Sequence, residues 1–449
     1  MNIAVVGGGV SGLTTAFWIK KLRPQFNITI LEKDEILGGK LKTENFAGFK
    51  IEVGGNGFLN SKPDMLELID AIKANDVLLK SEDTARKRFI YDKSQLFEMP
   101  STPKEFFKTK ILSSAAKLRI VSEFIIPSKK VGNENETVRA FGERRLGKAF
   151  TDLFLDAMTA GIFASTPDKL SLSAAFPAIA KLEREYGGLF KGMRAKKKLN
   201  KDVSAGPGGV LMSFYGGMGA FIKRLAGAFE HNVKLNTTVV DIARQNGKWI
   251  VKTENETLIY DAVILSCPAF ETSKILKNLD QSLSGELRKI EYSPVAVVAL
   301  GYDNIPEKLD GFGLLTTSRS NTQVLGILWD SSVFKDRAEE PKQLMRVMIG
   351  GQRQTTLALK DDETLTQIAI SGVLQTMHKN EEPMLTKVYK WYKAIPNYSV
   401  GHEALVATIM DMTKEYNGLY LGGNAYYGVG MNECAKYAKE LALNICNKI

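Results

Sequence analysis

The sequence predicts an α/β chain (α+β in its details): a nucleotide-binding lobe on a parallel sheet, interleaved with an antiparallel-sheet lobe and carrying an inserted helical lobe. Three observations predict it. The first residues read as strand, glycine turn and helix. Apolar strand-length runs suited to the same sheet recur far downstream, at 261–266 and 419–421. Between them lie a stretch of helical period, 104–160, and a series of strand runs, 294–350. A chain of 449 residues exceeds one ordinary core, so two or more lobes are expected.

The opening is the most specific element. Ile3-Ala4-Val5-Val6 is an apolar run, followed at once by Gly7-Gly8-Gly9-Val10-Ser11-Gly12 and then by a helical stretch from Leu13. The spacing is G-x-G-x-x-G. Gly7 permits the turn, Gly9 lets backbone approach a pyrophosphate, and Gly12 lets helix and strand pack closely. The helix start offers free N–H groups and a positive dipole end to phosphates. Ile28-Thr29-Ile30-Leu31 is the next strand, and Glu32 closes it where an acid binds a ribose hydroxyl, with Lys33 beside it. Together these make a Rossmann-like dinucleotide site. A glycine turn without a ligand would leave Glu32 and the three glycines unexplained together.

The rest of the chain follows in order. Leu37-Gly38-Gly39-Lys40-Leu41 comes after the second strand. Phe49–Val53 reads as a strand and leads into Gly54-Gly55-Asn56-Gly57; glycines this dense let backbone lie flat against a planar ligand. Residues 63–75 have helical period, with Pro63 suited to a first turn. Residues 86–99 read as a hairpin. Residues 104–125 and 137–160 read as helices joined by a turn at 132–136, and Phe106, Phe107, Ile111 and Leu118 interleave with lysines there. That pattern suits a helix lying on a membrane or a packed lobe with a wet outer face. A basic run from Arg194 to Lys198 and Lys201, then Gly206-Pro207-Gly208-Gly209, marks a loop and lobe boundary. A helix from Tyr215-Gly216-Gly217-Met218-Gly219 through Phe229 precedes strands at 233–235, 239–242, 249–251 and 261–266. Strands at 294–301, 312–316, 323–329 and 344–350 and a helix at 363–377 form the antiparallel lobe. Leu419–Gly423 is a strand into a glycine turn, and 428–446 a closing helix. The nucleotide-binding lobe thus takes 1–85, 205–289 and 391–449, the sheet lobe 86–100 and 290–390, and the basic helical lobe 101–204.

Composition narrows the function. Residues 101–204 hold 20 Lys and Arg against 11 Asp and Glu, nearly the whole of the chain's net +10. An anionic membrane surface or an acidic substrate would meet such a segment, as would nothing but solvent. Nucleic acid is the least supported partner, since no nucleic-acid-binding motif accompanies the charge. Cys267, Cys434 and Cys446 are few and odd in number, which argues against a disulfide framework and for a reducing compartment. His231, His378 and His402 lack ligand spacing, so no metal is expected. The N-terminus enters a strand at once, without a secretory signal, and no run reaches membrane-spanning length.

Longer motifs add a resemblance. Gly38-Gly39-Lys40, Glu52-Val53-Gly54-Gly55 and the C-terminal glycine turn before a helix resemble the flavin amine-oxidase superfamily. The stretch GIFASTPDKLSLSAAFPAIAKLEREYGGLFKG at 161–192, WYKAIPNYSVGH at 391–402 and GNAYYGVGMNEC at 423–434 resemble its protoporphyrinogen oxidase and coproporphyrinogen III oxidase family, and the likeness spans the chain. The resemblance implies an FAD-binding lobe, a substrate lobe and a helical lobe that meets membranes. It implies six-electron oxidation of a porphyrinogen in haem biosynthesis, with molecular oxygen reoxidising the flavin and yielding peroxide. Protoporphyrinogen IX is the first substrate expectation and coproporphyrinogen III the alternative. A cytoplasmic protein, peripheral on the inner face of the membrane, is expected, with room for a homodimer or for contact with another haem-pathway enzyme.

Carried over by residue, the resemblance gives Gly7 to Gly12 to the pyrophosphate and Glu32 to the ribose. Lys40 and Gly54 to Gly57 border the isoalloxazine and its linker, Val239 makes a backbone contact on the adenine side, and Trp391 and Val429-Gly430-Met431 complete the flavin pocket. Ala160-Gly161-Ile162 matches the active-site floor, where the Gly161 carbonyl would polarise a pyrrole N–H. Lys104 aligns approximately with a propionate-anchoring arginine, and lysine lacks that residue's bidentate fork. Asn56 stands where some members carry arginine. His402 reads as structural. Cys434 reads as a small buried residue, so FAD is expected to bind non-covalently. A different flavoenzyme of the same fold, an amine oxidase or a carotenoid desaturase, is the next alternative; an amine oxidase would need an aromatic cage, for which Tyr426-Tyr427 is the only candidate pair, and successive residues point different ways. A non-catalytic flavin protein handing on haem precursors is the reading from another class.

Overall fold

The computed structural model describes residues 1–129, 135–199, 209–229, 232–303, 305 and 307–448. Its organising element is a five-stranded parallel sheet in the order Val233–Lys234, Asn27–Leu31, Asn2–Val6, Ala262–Leu265, Leu419–Leu421. Asn2–Val6 lies at the centre, with Ile3 opposite Ile28 on one side and Ala262 on the other. Both faces are covered, so these strands read as continuous apolar runs. The helix Val10–Leu22 and the last helix, Met431–Lys448, cover one face through Leu13, Ala16, Ile19, Ala435, Ala442 and Ile445. A three-stranded meander, Val239–Gln245, Lys248–Thr253 and Thr257–Tyr260, covers the other through Ile242, Trp249 and Val251. The chain leaves the central strand toward Asn27–Leu31 and returns on its other side at Ala262–Leu265. That reversal opens a crevice beyond the strand ends, where such sheets bind ligands.

The second sheet has seven strands in the order Leu385–Pro396, Tyr292–Tyr302, Gln343–Gly350, Val324–Leu328, Gly313–Thr316, Phe89–Asp92, Gln95–Glu98. The expected hairpin at 86–99 joins it through one parallel pairing, Phe89 to Tyr91 beside Leu314 to Thr316. Alternate residues of Tyr292–Tyr302 serve two cores, as the period of a strand requires. Ala296, Val298 and Leu300 pack against the helix Asp362–Met377, whereas Val295 and Val297 face Ala160 and Ala164.

Four sequence expectations change. The strand Leu385–Pro396 runs unbroken across the lobe boundary expected at 390/391, which places Trp391 on the antiparallel sheet. Lys387, Lys390 and Lys393 hide the strand from hydropathy, and an edge strand tolerates such charge. Residues 233–234 pair with the parallel sheet and do not begin the meander, whose third strand the sequence did not reveal. The helix expected over 104–125 is broken into Pro103–Lys108, Ser114–Val121 and a 3₁₀ turn, Ser122–Ile125. Ser113 starts the second piece by accepting the Ala116 N–H at 3.2 Å. The helix expected over 137–160 is likewise broken: Gly147 at φ +92° separates Val138–Arg145 from a run that contains a π turn, Thr151–Leu155, and ends as Asp156–Phe163. The lobe is pinned by a fully buried Arg145–Glu123 pair, whose carboxylate also accepts the Leu189 N–H at 2.7 Å. Most of the turn expected at 132–136, the loop at Lys201 and Gly206-Pro207-Gly208, and His231 lie outside the described residues.

Candidate cofactor and substrate site

The glycine turn has the shape its sequence requires. Gly7 has φ +107°, and a Cβ on Gly12 would stand 2.0 Å from the Gly7 carbonyl oxygen. A Cβ on Gly9 would meet nothing within 4 Å, as befits a position that faces a ligand. The Leu13 N–H closes the first helical bond on Gly9, which leaves those of Val10, Ser11 and Gly12 as the free donors of a helix start. Glu32 is buried at the strand end; its carboxylate accepts the Gly8 N–H at 2.6 Å and that of Asp34 at 3.0 Å, which aims it along the turn. Lys33 is exposed, 4.0 Å from Glu271. The Thr237 N–H donates to the Glu32 carbonyl at 2.8 Å, which brings the strand that carries buried Val239 to the Glu32 end of the turn.

Three further segments converge on this turn. Gly38 donates to the Gly8 carbonyl at 2.9 Å, and Lys40 beyond it reaches across to the Ala394 carbonyl near the Tyr292 ring. Burial lowers the Lys40 pKa to about 8. Gly54 packs so tightly on Lys40 that a Cβ would lie 2.2 Å from the Lys40 carbonyl oxygen. Among the described residues, the N–H groups of Gly54, Gly55, Asn56 and Gly57 donate to no protein acceptor, and both amide atoms of the Asn56 side chain are buried without a partner. The last helix begins at Met431, with Val429 and Gly430 ahead of it and its first N–H groups free. Cys434, on its first turn, neighbours Ser11, so the two helix starts meet. Gly54, Asn56 and Gly57 are half-buried and Gly55 exposed, so it is the buried Asn56 amide that is costly unless something fills the space it faces. The residues therefore fit a dinucleotide carrying a planar ring system: phosphates at the two helix starts, the ring at Gly54 to Gly57 and Lys40.

The opposite wall comes from the seven-stranded sheet. Val295, Val297, Leu325 and Ala394 form an apolar shelf with Ala160, flanked by Met348, Tyr389 and Trp391. The Trp391 Nε1–H donates to the Val53 carbonyl at 3.1 Å. Arg353 ties helix to sheet, with its guanidinium 2.9 Å from Asp156 and 2.8 Å from the Thr316 carbonyl. Gly161 thereby sits against Leu315, and a Cβ there would come within 2.9 Å of that side chain. The helix ends on Ala164 in the left-handed region at φ +48°. The Ala164 N–H bonds the Ala160 carbonyl and that of Ser165 bonds Thr159, so no described hydrogen bond ends on the Gly161 carbonyl. Beside this helix end a cleft of about 360 Å³ is lined by Lys169, Arg288, Lys393 and one carboxylate, Glu291, with Phe270 and Tyr292 among its other walls. Lys104 is not joined to Gly161. It stands exposed on the short helix Pro103–Lys108, and no hydrogen bond or ion pair among the described residues engages it.

His402 is buried and stacked on Tyr398, ring centroids 4.1 Å apart. The Tyr398 hydroxyl accepts the Gly428 N–H at 2.6 Å and donates to the Asn424 carbonyl at 2.7 Å, so the pair props the loop that presents Val429 to Met431. Burial pushes the Cys434 thiol up to about 11. Sequence reasoning missed Arg346, Asp330 and Arg353. The one signal was a lone arginine inside the otherwise apolar run Leu344-Met345-Arg346-Val347.

Comparison with known proteins supplies the family. The profile of the family described as flavin containing amine oxidoreductase matches residues 10–446. A mitochondrial protoporphyrinogen oxidase of Nicotiana tabacum is 28% identical, over 96% of this chain and 92% of its own. A coproporphyrinogen III oxidase of Staphylococcus aureus is 27% identical, over 98% of both chains. A crystal structure from Exiguobacterium sp., provisionally assigned as a protoporphyrinogen oxidase, superposes with a TM-score of 0.86 at 25% identity, covering 100% of this chain and 99% of that one.

Proposed function

We propose that this chain, which belongs to the flavin containing amine oxidoreductase family, binds FAD non-covalently and oxidises protoporphyrinogen IX to protoporphyrin IX, with molecular oxygen as the acceptor. Six hydrogens leave the macrocycle in three two-electron steps, and three oxygen molecules become three of hydrogen peroxide. The free Gly161 carbonyl, set at a helix end over an apolar shelf, is the observation that carries this reading. A porphyrinogen offers pyrrole N–H groups that need an acceptor and a hydrocarbon body that needs an apolar wall.

When bound, the flavin supplies the acceptor for a hydride leaving a meso carbon. The chain's own residues do the rest. The N–H groups of Val10 to Gly12 and the start of the last helix hold the phosphates, and Glu32 the ribose. Ala160, Val295 and Val297 carry the macrocycle, and the Gly161 carbonyl accepts from a pyrrole N–H and so fixes which carbon is presented. Lys169, Arg288 and Lys393 supply cations for propionates. The raised pKa of Cys434 keeps it a thiol, which supports a non-covalent cofactor.

The helical lobe supports docking at a membrane. Phe107, Leu118 and Ile125 are 57%, 72% and 83% exposed, and exposed Lys104, Lys108 and Lys110 rim them. No described helix is long and apolar enough to cross a bilayer. Coproporphyrinogen III is the second reading, favoured by one cleft that sets three cations against the single carboxylate of Glu291, since that substrate carries more carboxylates. Aerobic incubation of the yellow protein with each porphyrinogen, read by porphyrin fluorescence against an enzyme-free blank, tests both. Faster turnover of protoporphyrinogen supports the first reading, and faster turnover of coproporphyrinogen replaces it with the second. No rate above the blank, with flavin bound and no anaerobic bleaching, overturns both. Liposome flotation at low and high salt tests the membrane contact, which absence of binding at both salts would refute.

A further inference from the structure

Three successive carbonyls of the segment Glu52-Val53-Gly54 are held by side chains of the antiparallel sheet. Arg346 Nη1–H donates to the Glu52 carbonyl at 2.6 Å and to the Gly54 carbonyl at 2.9 Å. Trp391 Nε1–H takes the Val53 carbonyl between them. Arg346 lies on the strand Gln343–Gly350, two residues from Met348 and so on the face that carries the shelf. Its fork is fixed from behind by Asp330, whose two oxygens meet Nε and Nη2 at 2.8 Å each, and both residues are 1% exposed.

A trans peptide is planar, with its N–H opposite its C=O. Each carbonyl that the sheet takes therefore turns the following N–H away from the sheet. Val53 shows the effect: Arg346 holds the Glu52 carbonyl, and the Val53 N–H donates the other way, to the Lys42 carbonyl at 2.9 Å. The same rule turns the Gly54 and Gly55 N–H groups away from Trp391 and Arg346, toward the side on which the Lys40 to Lys42 segment lies. These are two of the donors without a protein acceptor.

We propose that Arg346 is a positioning residue for the cofactor: by holding the Gly54 carbonyl it presents the Gly55 N–H to the flavin ring, beside the Gly54 N–H that Trp391 presents through the Val53 carbonyl, and by holding the Glu52 carbonyl as well it fixes the cofactor loop to the substrate sheet. The inference rests on the reading that Gly54 to Gly57 border the flavin. It needs a planar fork, because one group must serve a carboxylate and two carbonyls at once, and a lysine ammonium on a flexible stem cannot hold that geometry.

The test compares the parent, Arg346→Lys, the pair Arg346→Gln with Asp330→Asn, and Asn56→Ala as a direct probe of the loop. Each is measured for FAD affinity by titration of the apoprotein, for the visible bands of the bound flavin, and for its midpoint potential in the fraction that loads. Far-UV circular dichroism checks folding, and the charge-balanced pair covers the case in which the lysine variant fails to fold. Arg346→Lys should fold, bind FAD roughly tenfold to a hundredfold more weakly, as loss of a charged hydrogen bond implies, and shift both the bands and the potential. Parent-like bands and potential in Arg346→Lys, or in the pair if that alone folds, overturn the proposal, since a stabilising role alone would not move the potential. If Asn56→Ala is also parent-like, the reading of the loop falls with it; if Asn56→Ala shifts them, that reading stands and only the role of Arg346 falls.

Discussion

Replacing His402 with phenylalanine should flatten the acid limb of the protein's stability. Burial pulls the His402 pKa from 6.5 down to about 4, against a hydrogen bond to the Tyr426 backbone that works the other way. Between those values the unfolded chain binds a proton that the folded chain refuses, so stability falls as pH drops through 6.5 toward 4. At about 1.4 kcal/mol per pH unit, the loss is about 2 kcal/mol near pH 5 and about 3 kcal/mol near pH 4. Phenylalanine keeps a ring to stack on Tyr398 and removes the titration, at a cost of about 1 kcal/mol for the lost hydrogen bond. Urea unfolding at about pH 7, 6 and 5, followed by far-UV circular dichroism, reads the difference. The parent should be the more stable protein by about 1 kcal/mol near pH 7 and the less stable by about the same amount near pH 5. Because the stacked pair props the loop before Met431, acid release of flavin should also move to lower pH in the variant. Equal pH slopes for the two proteins between pH 6.5 and 4 would refute the reasoning.

Glycine substitutions in the first turn should separate folding from binding. Gly12→Ala puts a carbon 2.0 Å from a backbone oxygen and should give no soluble yellow protein, whereas Gly9→Ala meets no atom within 4 Å and should leave the apoprotein melting temperature unchanged while FAD titration shows weakened affinity. Gly161→Ala presses only on the movable end of Leu315, so it should fold normally and raise KM for the porphyrinogen in steady-state assays. Acid precipitation should leave all the flavin in the supernatant, from the parent and from Cys434→Ala alike; yellow pellets from the parent alone would mean a covalent bond.

The glycine turn was legible in the sequence because everything that shapes it is local. The positive φ at Gly7 and the packing of Gly12 on Gly7 involve residues five apart. The strands of the second sheet were legible where both faces are buried, and not at the edge strand Leu385–Pro396, where three lysines interrupt the pattern. The clamp on the cofactor loop was out of reach, since Arg346 meets the Glu52 carbonyl from 294 positions away. The free carbonyl at Gly161 depends on how one helix ends, at a left-handed alanine that no residue preference announces. Lys104 shows the converse: an aligned charge with no contact to the site.

The central position of the leading strand has a consequence for how the chain is made. Asn2–Val6 gains one neighbour at Asn27–Leu31 and the other only at Ala262–Leu265. At ribosomal speeds of about 5–20 residues per second, that second edge stays open for on the order of ten to fifty seconds. For this time an apolar strand has a bare row of backbone donors and acceptors, the template on which nascent chains join one another. A ligand at the glycine turn offers no rescue, because only pairing with Ala262–Leu265 covers that edge. Soluble yield is thus governed by what shields one edge during synthesis, and a chaperone that covers it should raise expression more than added flavin does.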